Sequence, residues 1–371
     1  MRDVREMRDM RDLTGGRETG DMAESWDKTG PADLCGVQQY RARLRVADAH
    51  CDTATVLSPY ELAFGSRRSH VDLPRLAAWG GLQFMAFFLR QTEGDAAWRT
   101  LRQHWRELLF AVALSGRAEV LYDLTQAGQG TKVQLVLALE GADMLADKPE
   151  RLEELYMMGF RSLGVFWNNN NAFGCGAAAE GAADSGLTAS GRRLLHRAAE
   201  GGWLIDMAHA SRRSFYQTAE LGLQPIFVSH ACCDALCPHR RNLTDEQLAV
   251  IGQSGGLVGI ALVPYFLRSE GDCSVDDVVR HIIHAVDIAG VEAVALGSDF
   301  DGVDELPDGI TGCESWPRLV RALRQAGLAG ADVQKIMGGN LVRFLRLAAA
   351  DWRSSEPGIG NGVMKKRNEK A

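Results

Sequence analysis

Eight short apolar runs, most of them separated by stretches of helical periodicity, constrain the fold of this chain more than any other feature. They are VADAH (46–50), LQFMAFFL (82–89), VQLVLALE (133–140), RSLGVFW (161–167), WLIDMAHA (203–210), PIFVSHA (225–231), GGLVGIAL (255–262) and AVALGSDFD (293–301). The runs are continuous rather than alternating, as expected of parallel strands covered on both faces. The segments between them carry helix signals. WRTLRQHWRELLFAVALS has apolar residues at spacings of three and four, and SVDDVVRHIIHAVDIAG opens on a capping Ser274, places acids in its first turn and stops at Gly290. TDEQLAVIGQSGG starts in the same way. Eight strands alternating with helices predict a (β/α)8 TIM-type barrel. An open doubly wound sheet is the alternative, but no G-x-G-x-x-G follows the first run.

The 371 residues allow one large domain or two ordinary ones. Residues 1–40 are polar, charged and repetitive, with MRD three times, and the tail from 353 to 371 is similar. Both are expected to be flexible extensions of a single domain over 41–352. A net charge of −7 argues against a nucleic-acid partner, which needs a basic face. No apolar run reaches the roughly eighteen residues of a membrane span. The first thirty residues hold no apolar signal core, so a cytoplasmic protein is expected. The eight cysteines are too sparse for a disulfide scaffold. Cys232, Cys233 and Cys237 in CCDALC match no zinc-knuckle spacing and are read as buried or incidental thiols.

In a barrel of this kind the active site forms where the strands end at their C-terminal side, and there the runs turn polar. The first ends in His50 and Asp52, the third in Glu140, the fourth in Trp167 and Asn168. The fifth carries Asp206 and ends in His209, the sixth ends in Ser229 and His230, the eighth in Asp299 and Asp301. A single histidine at a strand end is more often structural than a ligand. Barrel closure brings several such ends together, and that changes the odds. His50, Asp52, Glu140, His209 and His230 make a nitrogen-and-oxygen set large enough for two divalent ions sharing a carboxylate. The absence of thiolates favours a catalytic site with open positions. His104, His196, His281 and His284 fall in helical patterns, and His70 and His239 in loops, so all six are left out of the set.

The segments DAHCDT, ALEGAD, LIDMAHAS, PIFVSHACCDALCPHRRNLTDEQL and VALGSDFDGV, in that order, followed by IMGGNLVRFL, resemble the renal or membrane dipeptidase family of the metal-dependent amidohydrolase superfamily. The likeness runs from about residue 44 to about 347. Most of the superfamily opens on H-x-H, whereas H-x-D with a bridging Glu is the dipeptidase pattern. The resemblance implies a zinc dipeptidase with two Zn2+ per chain. His50 and Asp52 would bind one ion, His209 and His230 the other, and Glu140 both. It also implies that Arg241 holds the substrate carboxylate, that Asp299 handles the proton, and that the protein is a soluble homodimer. One departure stands out. Where the mammalian members carry a substrate-facing histidine, this chain has Trp167, and Asn168 is the candidate to take over that contact. Asp301 is expected to support the ligands from behind.

Chemically, a water shared by two divalent ions is acidified enough to supply hydroxide at neutral pH for attack on a scissile carbonyl. Asp299 can pass its proton to the leaving amine, and an arginine can pair two-pronged with a free α-carboxylate. The resemblance thus implies dipeptides as the substrates; the sequence leaves open whether L-D dipeptides are among them. The competing readings are a hydrolase of N-acyl amino acids, β-lactams or phosphoesters on the same metal site, and a barrel that binds metal without catalysis.

Overall fold

The computed structural model describes residues 45–89, 94–223 and 225–355. The expected N-terminal extension lies outside them, as does the expected tail beyond residue 355. The last helix, Asn340–Ser355, runs past residue 352, where the domain was expected to end.

Among the described residues, nine parallel strands form one sheet: β1 Val46–Asp48, β2 Gly81–Phe88, β3 Ala118–Val120, β4 Val133–Glu140, β5 Phe160–Gly164, β6 Leu204–Asp206, β7 Phe227–Ala231, β8 Leu257–Ile260 and β9 Val294–Leu296. Eight of them close into a ring in the order β1-β2-β4-β5-β6-β7-β8-β9, because β2 pairs with β4 and β9 returns to β1. Each ring strand lies within or overlaps one of the eight apolar runs. The ninth, β3, pairs beside the start of β4 and stays outside the ring. Its sequence AEV is too short and too polar to register as a buried run.

The helices obey their local signals. Ser274 caps Val275–Ala289 in a reciprocal box with Asp277, and the helix stops at Gly290. Thr244 and Gln247 do the same for Asp245–Gln253. The N-terminal end of the barrel is plugged. Ala47, Phe84, Phe227 and Leu257 pack against Leu341, Phe344 and Leu345 of the last helix, and the Phe227 and Phe344 rings stack at 5.5 Å. This helix docks through the IMGGN segment. A Cβ on Gly338 would stand 2.3 Å from the Arg45 carbonyl oxygen, so only glycine fits there. Asn340 donates to the Val291 and Val294 carbonyls. With that end sealed, the opposite mouth is the one left open for a site. Among the described residues no helix is long and apolar enough to cross a membrane.

Candidate active site

The chain leaves the strands before most of the polar residues predicted to form the site. Glu140 is the last residue of β4 and His230 lies inside β7. His50 and Asp52 come after β1, His209 three residues after β6, and Asp299 three after β9. Two buried carboxylates hold these exits in register. Asp48 accepts from the Ser298 backbone N–H (2.8 Å), the Ser298 hydroxyl (2.6 Å) and the Gln83 amide (2.9 Å), tying β1 to β2 and to the segment after β9. Asp206 accepts from the backbone N–H of Ala208 and of Ser229, which joins the His209 turn to β7. The turn beyond β9 needs unusual backbone: Asp299 and Asp301 have φ of 62° and 65°, a region aspartate tolerates better than most residues. Asp301 accepts from the Thr53 hydroxyl and the His70 backbone N–H, and so fastens this turn to the segment after β1. A Cβ on Gly302 would fall 2.4 Å from both Asp299 Oδ1 and Asp52 Oδ2, so glycine is what lets the turn pass so close.

The structure brings all five predicted ligands and Asp299 together. The Glu140 carboxylate sits in the middle with its two oxygens facing different partners. Oε2 is 3.6 Å from His50 Nε2, while Oε1 is 2.7 Å from His209 Nε2 and 3.9 Å from His230 Nε2. His50 Nε2 also lies 3.5 Å from Asp52 Oδ2 and 3.7 Å from Asp299 Oδ1. Two ligand triads share Glu140: His50, Asp52 and Glu140; and Glu140, His209 and His230. Within each triad the ligand atoms lie no more than 4.8 Å apart.

As bare protein, this arrangement is electrostatically unsatisfied. Burial pushes the Asp52 and Glu140 carboxyls up, and pushes Asp299 up to about 7, with Asp52 and Glu140 adding to the effect and His50 opposing it. Burial pulls His50 down, but the carboxylates, Glu140 foremost, overcome it and hold His50 at about 10. His50 Nε2 nevertheless has no hydrogen-bond partner although it is buried. Burial drives His209 and His230 well below the usual imidazole value. His209 Nδ1 lies 3.1 Å from Asn168 Oδ1, an acceptor, so its Nε2 carries a lone pair directed at Glu140 Oε1 and at His230 Nε2, 3.0 Å away. A divalent cation between His209 Nε2, His230 Nε2 and Glu140 Oε1 would satisfy all three buried acceptors at once, which a single shared proton does not. The residues present therefore fit divalent metal, and the donor set of imidazole and carboxylate suits zinc and its neighbours.

Arg241 is buried at 4% exposure rather than lying on the surface, as its charged HRR context would otherwise suggest. Its Nη2 donates to the His230 carbonyl (3.3 Å), its guanidinium lies 5.5 Å from the Phe266 ring, and Nη1 is buried without a partner. His239, left out of the metal set, accepts from the Arg241 backbone N–H and packs on Phe266, so it shapes this loop. Asn168, expected to face substrate, lines the cavity and turns its side-chain oxygen to His209 Nδ1. These groups surround a cavity of about 430 Å³, whose wall includes Asp52, Glu140, His209, His230, Arg241 and Asp299, a size suited to a small molecule. Cys232 and Cys233 are buried and free, with thiols directed at the Ala261 and His281 carbonyls. Motif reading passed over Phe88, Tyr265 and Phe266, which also line the cavity. Their only sequence signal is an aromatic residue just at or beyond a run.

Residues 37–356 match the family described as membrane dipeptidase, peptidase family M19. A Klebsiella pneumoniae protein described as an uncharacterized protein in the pqqA 5′ region is 36% identical over 232 residues, which is 60% of this chain and 85% of that protein. The dipeptidase tcpJ of Claviceps purpurea is 27% identical over 305 residues, covering 78% of this chain and 72% of its own. A metallo peptidase from Rhodobacter sphaeroides, solved with a phosphinate mimic of the dipeptide L-Ala-D-Ala, superposes with a TM-score of 0.76 at 26% identity, over 81% of this chain and 98% of that one.

Proposed function

This chain belongs to the membrane dipeptidase family, peptidase family M19, and is a metallodipeptidase; from that premise we propose that it hydrolyses dipeptides, L-D dipeptides included, with two zinc ions held by His50, Asp52, Glu140, His209 and His230. The observation that carries this reading is the Glu140 carboxylate, one oxygen turned to His50 and the other to His209 and His230. Bound there, divalent ions supply a polarised carbonyl and an acidified water. The chain's own residues do the rest. Asp299 borders the cavity beside His50, where it can take up a proton and return it to the leaving amine. Arg241 presents a buried, unpartnered N–H edge to the substrate's free carboxylate. A clamp on the wall of the same small cavity as the ligand cluster limits chain length, which favours dipeptides over longer peptides. The L-Ala-D-Ala mimic bound by the Rhodobacter sphaeroides enzyme supports including a D-residue at the C-terminal position.

The direct test is hydrolysis of a panel of L-L and L-D dipeptides by zinc-loaded protein, with Ala-Ala-Ala and N-acetyl-alanine as controls. Cleavage of dipeptides with the tripeptide resistant is expected. Preferential cleavage of N-acetyl-alanine would move the substrate class to N-acyl amino acids.

Asn168 provides a separate check on the ligand assignment. Partners that orient a ligating histidine typically contribute about 10–100-fold to metal affinity. Asn168→Ala is expected to weaken binding of one of two zinc equivalents by about that factor, read by competition with a chromophoric chelator, while Asn168→Asp keeps an acceptor and most of the affinity. Unchanged affinity for both equivalents in Asn168→Ala would remove the positioning role.

A further inference from the structure

The cavity has two chemically different sides. Around the ring, β2 and β4 stand opposite β7 and β8. Arg241 comes from the loop after β7, so the end of β2 stands across the barrel axis from it, flanked by the segment after β1, and Trp167, beyond β5, joins that side by stacking on Phe88. That side presents Val56, Phe88, Leu89 and Trp167. Phe88 pairs in register with Glu140 on the adjacent strand, so it stands beside the shared carboxylate. Trp167 stacks on Phe88 at 4.6 Å and 24°, and lies at 27° to the His209 ring. Phe88, Leu89 and Trp167 are only half-buried and Val56 is exposed at 44%, so apolar surface faces the cavity. Among the described residues, the ionisable side chains that line the cavity near this wall are Asp52 in the ligand cluster, Asp301, which accepts from Thr53 and His70, and His104, engaged with Glu107 at 3.3 Å.

We propose that Phe88 and Trp167, flanked by Val56 and Leu89, seat the side chain of the substrate's N-terminal residue and make the enzyme selective for dipeptides that begin with a bulky apolar residue. This rests on the dipeptidase reading, with the C-terminal carboxylate on Arg241 and the scissile bond over Glu140. The dipeptide then crosses the barrel axis and its first side chain meets the aromatic wall. An apolar side chain removes surface from water there. A charged one is desolvated against this apolar surface. The side chain of the second residue lies on the Arg241 side and is graded separately.

The test is kcat/KM of zinc-loaded protein on Gly-Ala, Leu-Ala, Phe-Ala, Glu-Ala and Lys-Ala, and on Ala-Gly, Ala-Leu and Ala-Phe. Apolar pockets discriminate by about 10–200-fold, and Leu-Ala and Phe-Ala are expected to exceed Gly-Ala and Glu-Ala by a factor in that range. Trp167→Ala should shrink the Leu-Ala to Gly-Ala ratio to below about threefold without reordering the Ala-Xaa series, and Trp167→Phe should restore part of it. Should Trp167→Ala fail to fold, the exposed Val56→Lys variant reads the same wall: it should raise the Glu-Ala to Leu-Ala ratio about tenfold. Dipeptides cut with equal efficiency whatever their first residue, or ratios unmoved in Trp167→Ala or in Val56→Lys, overturn the seat and leave the dipeptidase reading standing. No cleavage of any dipeptide overturns the dipeptidase reading itself.

Discussion

Replacing Glu140 with alanine is expected to abolish turnover while leaving the metal-free protein as stable as before. The variant removes the one carboxylate that both ligand triads share. Metal-ion stabilisation of developing charge is worth several kcal/mol, and about 4 kcal/mol corresponds to roughly a thousandfold in rate. Stability should behave in the opposite way. Without metal, Glu140 is a buried acid, so its removal relieves a desolvation cost and its repulsion of Asp52 and Asp299, set against the loss of its attraction for His50 and Arg241. Thermal denaturation of chelated protein should therefore show a Tm for Glu140→Ala close to that of wild type. Added zinc should raise the Tm of wild type and much less that of the variant, since a ligand that binds only the folded state stabilises it by mass action. His209→Ala should lose turnover as well but retain binding at the His50 and Asp52 side. A Glu140→Ala protein with near wild-type turnover and full metal content would show that the shared carboxylate is misassigned.

The second large effect concerns Arg241. Truncating one partner of a buried charge pair typically costs about 2–5 kcal/mol, so Arg241→Ala should lower kcat/KM for dipeptides by a factor on the order of 30 to several thousand. Arg241→Lys should recover only part of this, because a point charge does not reproduce the planar fork. Blocking the substrate carboxylate as an amide should harm wild type by a similar factor and harm the alanine variant little. Losses that fail to add are the mark of two partners in one interaction. A wild-type enzyme that cuts the amide as fast as the free acid has no carboxylate clamp at Arg241.

Much of this arrangement is legible in the sequence for a simple reason. A strand buried on both faces must be a continuous apolar run, so each ring strand announces itself, and the first polar residues after it are those the barrel gathers at its mouth. Hence His50, Asp52, Glu140, His209, His230 and Asp299 meet although they are up to 249 residues apart in the chain. The features that stay hidden depend on partners far away in sequence. β3 is short and half-covered, with nothing in AEV to mark it. Asn168 follows the fourth run as a ligand-facing group would, yet its oxygen is captured by His209, 41 residues on. Arg241 sits among charges and reads as exposed until Phe266 and the His230 carbonyl close over it. Asp48 and Asp206 look like strand polarity, and only the positions of Ser298 and Ser229 reveal them as the ties that hold the ligand-bearing turns.

The central claim is that the Glu140 cluster is a two-metal catalytic centre, and a single titration addresses it. Chelator-treated protein is supplied with increasing zinc, and bound metal and the initial rate of Leu-Ala hydrolysis are measured on the same samples. The expected result is no rate without metal, and a rate that climbs with occupancy and levels off near two ions per chain. Hydrolysis that persists in metal-free protein, or a protein that takes up zinc to that level and cuts no dipeptide, would contradict it.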